Sequence, residues 1–593
     1  MLWLVAALTA SAPQRRMPPP EVTYTVRADP TDTSGFDVAI HLRHAPASFE
    51  LAMYRHPEYD DRYWRYLDGV SVDGAGTRIT RADSAVWRVT GAASDVTVRY
   101  RLRLPPETGL QRQAWRPFLT LTGGLVDGPH ALLYVVGAEG APARVVLSLP
   151  DGWRVATPLR PTADPSSFFA SSVAELMDSP ILFGRFHDWS FTVDDAPHRV
   201  VYWESPDARP FDTLTFVSHL AGVVREAVAL FGRPPYAQYT FLYRDRAWGA
   251  LEHPDAVTLG APSADLAADP DAELEETAHE FFHAWNLMRI HPAGYGGVTY
   301  RPRPLSTGLW VSEGFTMFYA DLLPRRAGLT VGDSTRAAHL ERLLGRYYEN
   351  PVFARFSAER ISQSSYAPNP AFLGDYQGST HLNGEVLGAM LDLLIRGRTG
   401  GRRSLDDVMR GLAADSAGFT TGSVQRLVAR TCGCDVRAFF DRYVRHAGVV
   451  DANRYLGLIG LHADTAWVPA VDDSGRATPD LRVWSYLPPG SSRPAILLGT
   501  PFGAWGRAGL HSGDLLESVG DSSVTSVAGF RAVLVRLRIG DTVPVVVRRG
   551  HQTLSVRVVI SGFKHAVVRI SRLGTISDGQ RRLLAAWEAG ATD

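Results

Sequence analysis

The chain has 593 residues, of which 45% are hydrophobic and 21% are charged, and its formal net charge is −1. This length exceeds what one hydrophobic core serves and predicts three or four soluble domains. The near-neutral charge gives no electrostatic case for binding nucleic acid or an anionic membrane. Two cysteines, Cys432 and Cys434, cannot build a disulfide framework, and we interpret them as residues at a helix start without a special role.

Residues 1–20 carry the pattern of an export signal followed by a linker. Leu2 to Ala10 is a short apolar run, and the Ala10-Ser11-Ala12 that ends it is similar to a signal-peptidase site. The basic segment that normally precedes such a run is missing, so retention in the cytoplasm stays open as the alternative. We expect an exported protein, periplasmic or extracellular. We expect no transmembrane segment, because no later stretch approaches the roughly 20 apolar residues that span a membrane.

From residue 21 to 205 the pattern is that of β-strands. The clearest run alternates polar residues with Val96, Val98, Tyr100, Leu102 and Leu104. Alternation of this kind, with turn signals at short intervals, is typical of half-buried strands. The segment therefore predicts an N-terminal all-β domain of sandwich type.

The pattern becomes helical in residues 206–449, and this segment contains the candidate chemistry. His279-Glu280-Phe281-Phe282-His283 is an H-E-x-x-H in a predicted helix, with Asp269 as N-cap and Pro270 as the first helical residue. Positions i and i+4 lie on one face of a helix, so His279 and His283 can share one metal ion. The Glu280 carboxylate beside them can act as a base toward water.

A second predicted helix carries Glu313 among apolar residues such as Trp310 and Val311. An isolated carboxylate is costly to bury, and a metal ion would satisfy it. A zinc peptidase takes three protein ligands and leaves a fourth position for water. We therefore predict one Zn²⁺ per chain, bound by His279, His283 and Glu313. The alternative is a chance match of the short pattern to an ordinary core or surface helix.

The string HEFFHAWNLMRIHP, which begins at His279, and the later string LWVSEGFTMFY resemble the glycyl-aminopeptidase family of PDZ-carrying metallopeptidases. This family belongs to the wider class with H-E-x-x-H plus a distal Glu. The resemblance implies a thermolysin-like, mostly helical catalytic domain that hydrolyses peptides. It also implies an aminopeptidase that releases small N-terminal residues, Gly or Ala, with water activated by zinc and Glu280.

The resemblance further implies a loop that binds the substrate amine. In related aminopeptidases a Gly-x-x-Glu loop on an edge strand binds the free amino group, and Gly249-Ala250-Leu251-Glu252 matches it here. The Glu252 carboxylate can pair with an ammonium ion. The alternative is an ordinary loop carboxylate in solvent.

One family segment, Tyr-Tyr-x-Lys-Gly, which is expected to hold a donor for the oxyanion, has no match in this chain. The corresponding stretch runs from Ser379 through His381 to Gly384 and lacks both tyrosines and the lysine. We predict that His381 donates instead, as a neutral imidazole. The alternatives are that Tyr376 takes this role, or that His381 merely begins the following helix.

Residues 450–563 resemble a PDZ domain of bacterial type, with Gly513-Asp514-Leu515-Leu516 followed by a short helix and two strands. Such domains bind peptide C-termini by strand addition, with backbone amides around the carboxylate. Leu456-Gly457-Leu458-Ile459 is the candidate carboxylate loop, and a structural glycine turn is the alternative reading. Residues 564–593 are predicted to form a C-terminal tail.

The predicted fold class is multidomain α+β, with an N-terminal all-β domain, a mostly helical zinc peptidase domain and a C-terminal PDZ domain. A zinc aminopeptidase is the preferred hypothesis. The missing tyrosines motivate a rival, a catalytically weak or inactive peptidase fold that acts as a PDZ peptide-binding protein. A third hypothesis keeps the zinc chemistry in an endopeptidase, which would cleave N-terminally blocked peptides as fast as free ones.

Overall fold

The structure, a computed structural model, describes residues 21–56, 58, 61–106, 112–415 and 417–591. The predicted signal segment, residues 1–20, lies outside the described residues. Up to residue 185 the described chain is β-rich, with a seven-stranded sheet and two four-stranded sheets. The strands are β1 Glu21–Arg27, β2 Gly35–Arg43, β3 Ser48–Met53, β4 Leu67–Val72, β5 Arg78–Asp83, β6 Val86–Thr90, β7 Asp95–Arg103, β8 Phe118–Leu119, β9 Gly123–Val126, β10 Leu133–Val135, β11 Ala143–Ser148, β12 Arg154–Ala156, β13 Arg160–Pro161, β14 Ser167–Ala170 and β15 Ile181–Gly184.

Period-two burial builds this β-rich part. In β7 the side chains of Val96, Val98, Tyr100 and Leu102 are buried, while the residues between them are more exposed. The larger sheet has the order β13-β14-β11-β1-β2-β7-β4, and its apolar face shares one core with the sheet β10-β3-β6-β5. Two short helices, α1 Gly128–Ala131 and α2 Val173–Met177, complete this part. An N-terminal β-rich domain is thus confirmed, while the two helices depart from the expected all-β domain.

A five-stranded sheet begins the next part of the chain, in the order β16-β17-β18-β20-β19. Its strands are β16 His187–Val193, β17 Ala196–Trp203, β18 Tyr239–Arg244, β19 Ala250–Glu252 and β20 Ala256–Gly260. The predicted boundary at residue 205 assigns β16 and β17 to the N-terminal domain. Their pairing with β18, and the entry of Val200 and Tyr202 into the core of the helical domain, correct this boundary toward residue 186.

Helix α3, Thr213–Phe231, connects β17 to β18. It is long and apolar enough to cross a membrane by length and composition, contrary to the expectation that no later stretch approaches this limit. Half of the residues in its most apolar stretch are buried inside the protein. Phe216, Leu220 and Val224 belong to the core of the helical domain, which explains the apolar composition.

Ten helices follow in the described residues between the five-stranded sheet and residue 456. They are α4 Ser263–Ala268, α5 Leu274–Phe282, α6 Leu309–Arg326, α7 Arg336–Glu349, α8 Ala358–Ser365, α9 Thr380–Thr399, α10 Leu405–Ala413, α11 Thr421–Cys432, α12 Arg437–Phe439 and α13 Asn453–Leu456. Helices α6 and α9 cross very closely. A Cβ on Gly314 would lie 2.1 Å from the Gly384 Cα, so only glycine permits this approach. The crossing brings the N-terminal turns of the two helices together.

The helix that carries the H-E-x-x-H is shorter than predicted. Asp269 does not cap it, because its Oδ1 accepts a hydrogen bond from the backbone N–H of Asp271 in a separate turn. The helix begins at Leu274 and ends at Phe282, and His283 is its C-cap. The two histidines nevertheless keep their helical spacing.

The C-terminal unit, defined here as residues 480–560, has a hydrophobic core of its own. Its sheet contains β22 Val483–Tyr486, β23 Ala495–Leu498, β24 Leu515–Val519, β25 Ser522–Ser523, β26 Thr542–Arg549 and β27 Gln552–Val559. Its helices are α14 Ala504–Arg507 and α15 Val527–Leu534. The predicted short helix and the two strands after it are present, whereas the assignment as a PDZ domain stays a prediction.

The segments that flank this unit belong to the helical domain. Strands β21 Leu461–Pro469 and β28 Lys564–Arg572 pair antiparallel, and β28 packs against α7. Helix α16, Asp578–Glu588, buries Leu584 and Trp587 in the same core. These contacts correct the predicted limits of 450–563 for the C-terminal domain and 564–593 for a tail.

The interpretation of the cysteines is also corrected. Cys432 ends helix α11 rather than starting a helix, and Gly433, with φ 59°, follows it in the left-handed conformation of a C-cap. Cys432 and Cys434 form a disulfide across this glycine.

Candidate metal centre and active site

Helix α5 supplies two imidazoles that face each other. Ala278, Phe281 and Phe282 are fully buried and fix the helix in the core. The Nε2 atoms of His279 and His283 lie 3.1 Å apart. The Nδ1 of His283 donates a hydrogen bond of 2.7 Å to the Asn286 carbonyl. In this tautomer the Nε2 of His283 carries the lone pair that can bind a metal.

Glu313 lies in the first turns of α6 and completes a group of three donors. Its Oε2 is 3.6 Å from the His279 Nε2 and 3.4 Å from the His283 Nε2. Zinc with ligands at about 2.0–2.1 Å in a tetrahedron requires donor atoms roughly 3.3 Å apart, so the three separations fit this ion. Within the part of the chain that the structure describes, these three side chains are the only group of potential metal ligands found.

Asn286 links the end of helix α5 to helix α6. Its side-chain amide lies 3.0 Å from the Val311 carbonyl, 2.9 Å from the Ser312 carbonyl and 3.0 Å from the Thr316 hydroxyl. Asn286 is fully buried. It therefore couples the turn after His283 directly to the segment of α6 that contains Glu313.

The charges of the donor group are strongly interdependent. Burial disfavours the Glu313 carboxylate, but His283, His279 and His381 outweigh it and hold the pKa of Glu313 well below its ordinary value. Burial opposes charge on His283, yet Glu313 raises the pKa of His283 to about 9. Burial lowers the pKa of His279 to about 4. The site thus stabilises positive charge beside an ionised Glu313.

His381 lies at the second position of α9, directly beside this group. Its Nε2 is 3.2 Å from the Glu313 Oε2, and its ring lies nearly parallel to that of His279 at 5.6 Å. It is not part of the three-donor group, and about half of its side chain is exposed. Tyr376, the alternative, packs instead against Phe356 and Phe502. Of the two residues considered, His381 is the one next to the donors.

Sequence reasoning missed two tyrosines at the site. The Tyr366 hydroxyl donates to the Glu313 Oε1 at 3.3 Å, and the Tyr295 hydroxyl donates to the Glu58 Oε1 at 3.1 Å. Both tyrosines line a cavity of about 260 Å³. Neither tyrosine stands in a segment with a motif, so no pattern in the sequence pointed to them.

Sequence reasoning also missed Glu58, which comes from the β-rich domain. Burial and then the charge of Glu313 raise the pKa of Glu58. Burial, followed by the charges of Glu58 and Glu280, raises the pKa of Glu252 well above its ordinary value. Glu252 is buried on the edge strand β19, so the alternative of a carboxylate in solvent is wrong. Four carboxylates therefore converge here, and the site requires cationic partners.

Gly249 and Ala250 lead into this strand. Gly249 has φ +69°, and a Cβ there would approach the Trp115 ring at 3.1 Å. Ala250 is the first residue of β19 and is buried. The predicted Gly-x-x-Glu segment is thus a turn into an edge strand that ends at Glu252.

The segment Leu456–Ile459 is not next to the sheet of the C-terminal unit. It forms the end of α13 and a short 3-10 helix, with Leu456 and Ile459 buried in the core of the helical domain. Leu458 packs against Gly397 of α9. The prediction of a carboxylate loop at these residues is wrong.

Two family models match separate parts of the chain. The Peptidase M61 N-terminal domain matches residues 23–185, and the M61 glycyl aminopeptidase matches residues 272–380, which include the three donors and Glu280. The resemblance to the glycyl-aminopeptidase family is thereby confirmed. No curated protein matches the sequence.

A solved structure with the same fold covers almost the whole chain. The aminopeptidase N family protein from Idiomarina loihiensis is 20% identical, with a TM-score of 0.74 over 96% of this chain and 100% of that chain. An M1 zinc metallopeptidase from Deinococcus radiodurans is 15% identical over 70% of this chain and 90% of that chain, with a TM-score of 0.43. Yeast LTA4 hydrolase in complex with Bestatin is 13% identical over 74% and 69%, with a TM-score of 0.44. The last two likenesses are too weak to carry an argument.

Proposed function

We propose that this chain, a zinc metallopeptidase with both domains of the M61 peptidases, is an aminopeptidase that releases small N-terminal residues such as Gly and Ala. The observation that carries the proposal is the pair of carboxylates, the half-buried Glu58 and the buried Glu252, beside the donor group of His279, His283 and Glu313. Glu58 and Glu252 do not belong to the group of potential metal ligands. Two carboxylates side by side can instead bind an ammonium group.

The electrostatics support binding of a free amino group. Burial and then the charge of Glu313 raise the pKa of Glu58, and burial and then the charge of Glu58 raise the pKa of Glu252. A substrate ammonium supplies a positive charge that stabilises the ionised form of both carboxylates. Strand β19 lies at the edge of its sheet, so an extended peptide can lie along it with its amine at Glu252.

Each catalytic role falls to a named side chain. When bound by His279, His283 and Glu313, zinc supplies a Lewis acid that polarises the scissile carbonyl and acidifies water. Glu280 accepts the proton of the attacking water and passes it to the leaving amine. We propose that His381, as a neutral imidazole, and Tyr366 turn their single donor hydrogens from Glu313 to the developing oxyanion when substrate is bound. Both contact Glu313, one at each carboxylate oxygen.

The proposal is tested with matched peptides that differ only in an N-terminal acetyl group. We expect hydrolysis of the free Ala peptide and little hydrolysis of the acetylated one. Glu252→Gln and Glu58→Gln should each lower kcat/KM for the free peptide by about 10-fold to 100-fold, because a charge-assisted hydrogen bond contributes roughly 1.5–3 kcal/mol. Equal wild-type rates for free and acetylated peptides would overturn the amine site and favour the endopeptidase hypothesis.

We also propose that the C-terminal unit binds peptide C-termini in the manner of a PDZ domain. Strand β22 is at the edge of its sheet, and helix α15 contacts it, which supports strand addition between them. A fluorescent C-terminal peptide titrated against the full-length protein should bind, and amidation of its carboxylate should weaken binding. Equal affinity for the amidated peptide would contradict this role, and the rival of a peptide-binding protein without turnover would then lose its support.

We propose export to the periplasm or beyond on the basis of the N-terminal pattern. Cell fractionation with a marker enzyme tests it, and recovery of the full-length, unprocessed chain in the cytoplasm would contradict it.

A further inference from the structure

The loop between α8 and α9, residues 366–379, connects two side chains that contact the two oxygens of Glu313. Tyr366 begins the loop, and its hydroxyl lies 3.3 Å from the Glu313 Oε1. His381 follows the loop, and its Nε2 lies 3.2 Å from the Glu313 Oε2. The path of this loop therefore determines where two candidate oxyanion donors stand.

The base of the loop is closed. The hydroxyls of Ser365 and Thr380 form a hydrogen bond across it. Leu373 is buried, and Gly378 packs so closely that an added Cβ would lie 3.0 Å from Ile361 and from Leu373. The closed base thus links the loop to the end of α8, where Tyr366 lies, and to the start of α9, which carries His381.

The tip of the loop docks on the C-terminal unit. The His511 Nδ1 donates to the Asp375 Oδ2 at 2.6 Å, and the Ser512 backbone N–H donates to the Asp375 Oδ1 at 2.7 Å. The ring of Tyr376 meets that of Phe502 edge-on at 6.5 Å. One carboxylate therefore satisfies two donors from a different folding unit, and an aromatic contact lies beside it.

We propose that Asp375 is a positioning residue, through which the C-terminal unit keeps Tyr366 and His381 beside the donor group during peptide hydrolysis. This inference rests on the proposed function. Asp375 contacts His511 and Ser512 rather than a metal donor, and it acts through the loop. A small displacement of donors around a reacting carbonyl is costly, because a shift of about 1 Å can cost up to 100-fold in rate.

The test uses the full-length protein and the free Ala peptide. Asp375→Ala should lower kcat about tenfold while KM changes less, because donors to the oxyanion act in the transition state and the amine site is intact. Hydrogen exchange of the amides in residues 366–379 should become faster. Asp375→Asn keeps a carbonyl oxygen for the Ser512 N–H and should restore most of kcat.

A variant on the opposite side of the contact excludes a local folding effect. His511→Ala leaves the loop sequence unchanged and should lower kcat and speed exchange in the same direction. Arg569→Ala is the control. It breaks an ion pair between strand β28, which lies outside the C-terminal unit, and Glu341 of α7. It should leave both readouts at the wild-type level.

Two results would overturn the inference. One is a wild-type kcat in both Asp375→Ala and His511→Ala; the other is unchanged hydrogen exchange of the loop in both. If the wild-type protein itself hydrolyses no peptide, the proposed function fails. The exchange measurement then still decides whether the C-terminal unit holds the loop.

Discussion

Replacing Glu280 by Gln is expected to lower peptide hydrolysis by about 10²-fold to 10⁴-fold without loss of zinc, because we assign Glu280 the role of general base and not that of a metal ligand. Gln is nearly isosteric but cannot accept the proton of the attacking water. Glu280 stands between the two histidines in the helix, and its buried Oε2 has no hydrogen-bond partner among the described residues. Burial raises the pKa of Glu280 to about 8. The measurement is kcat/KM for the free Ala peptide together with the zinc content.

The matched control is Glu276→Gln, one turn earlier on α5. Glu276 is also a half-buried glutamate with a raised pKa, caused mainly by burial. It should keep both activity and zinc. If Glu280→Gln retains wild-type turnover, another residue is the base and the assigned mechanism is wrong.

Glu313→Ala is expected to lose zinc, with the content falling below about a tenth of the wild-type value, and to lose hydrolysis with it. The change leaves two of the three donors, whereas a catalytic zinc site in a peptidase has three protein ligands. It also removes the carboxylate that raises the pKa of His283. Zinc content per folded chain and the rate of peptide hydrolysis are measured in parallel.

The control for Glu313→Ala is another buried carboxylate that pairs with a histidine. Glu385 of α9 accepts a 2.6 Å hydrogen bond from the His339 Nε2, away from the donor group. Glu385→Gln should retain zinc. A Glu313→Ala protein that keeps stoichiometric zinc would remove Glu313 from the ligand set.

Local spacing was sufficient to predict the donors but not their surroundings. His279 and His283 follow from helical periodicity, and Glu313 follows from the cost of burying a carboxylate among apolar residues. Both arguments depend only on neighbours in the chain. The helix start was wrong because Asp269 satisfies a nearer N–H in a turn of its own, a competition that the sequence does not decide.

Residues that reach the site across the fold could not be predicted in this way. Glu58 arrives from the β-rich domain, and Tyr366 arrives at the end of a short helix, neither with a signal in its own segment. The pairing of β21 with β28 could not be predicted either. β21 and β28 pair across the whole C-terminal unit, and only this long-range register shows that Leu456–Ile459 lies in the helical core.

The most direct test of the account is the metal content of the purified full-length protein, measured together with hydrolysis of free Gly and Ala peptides before chelation, after chelation and after zinc is returned. The account predicts about one zinc per chain, loss of hydrolysis with loss of zinc, and recovery when zinc is restored. A protein that hydrolyses these peptides without metal, or one that holds a full complement of zinc and hydrolyses none of them, would contradict it.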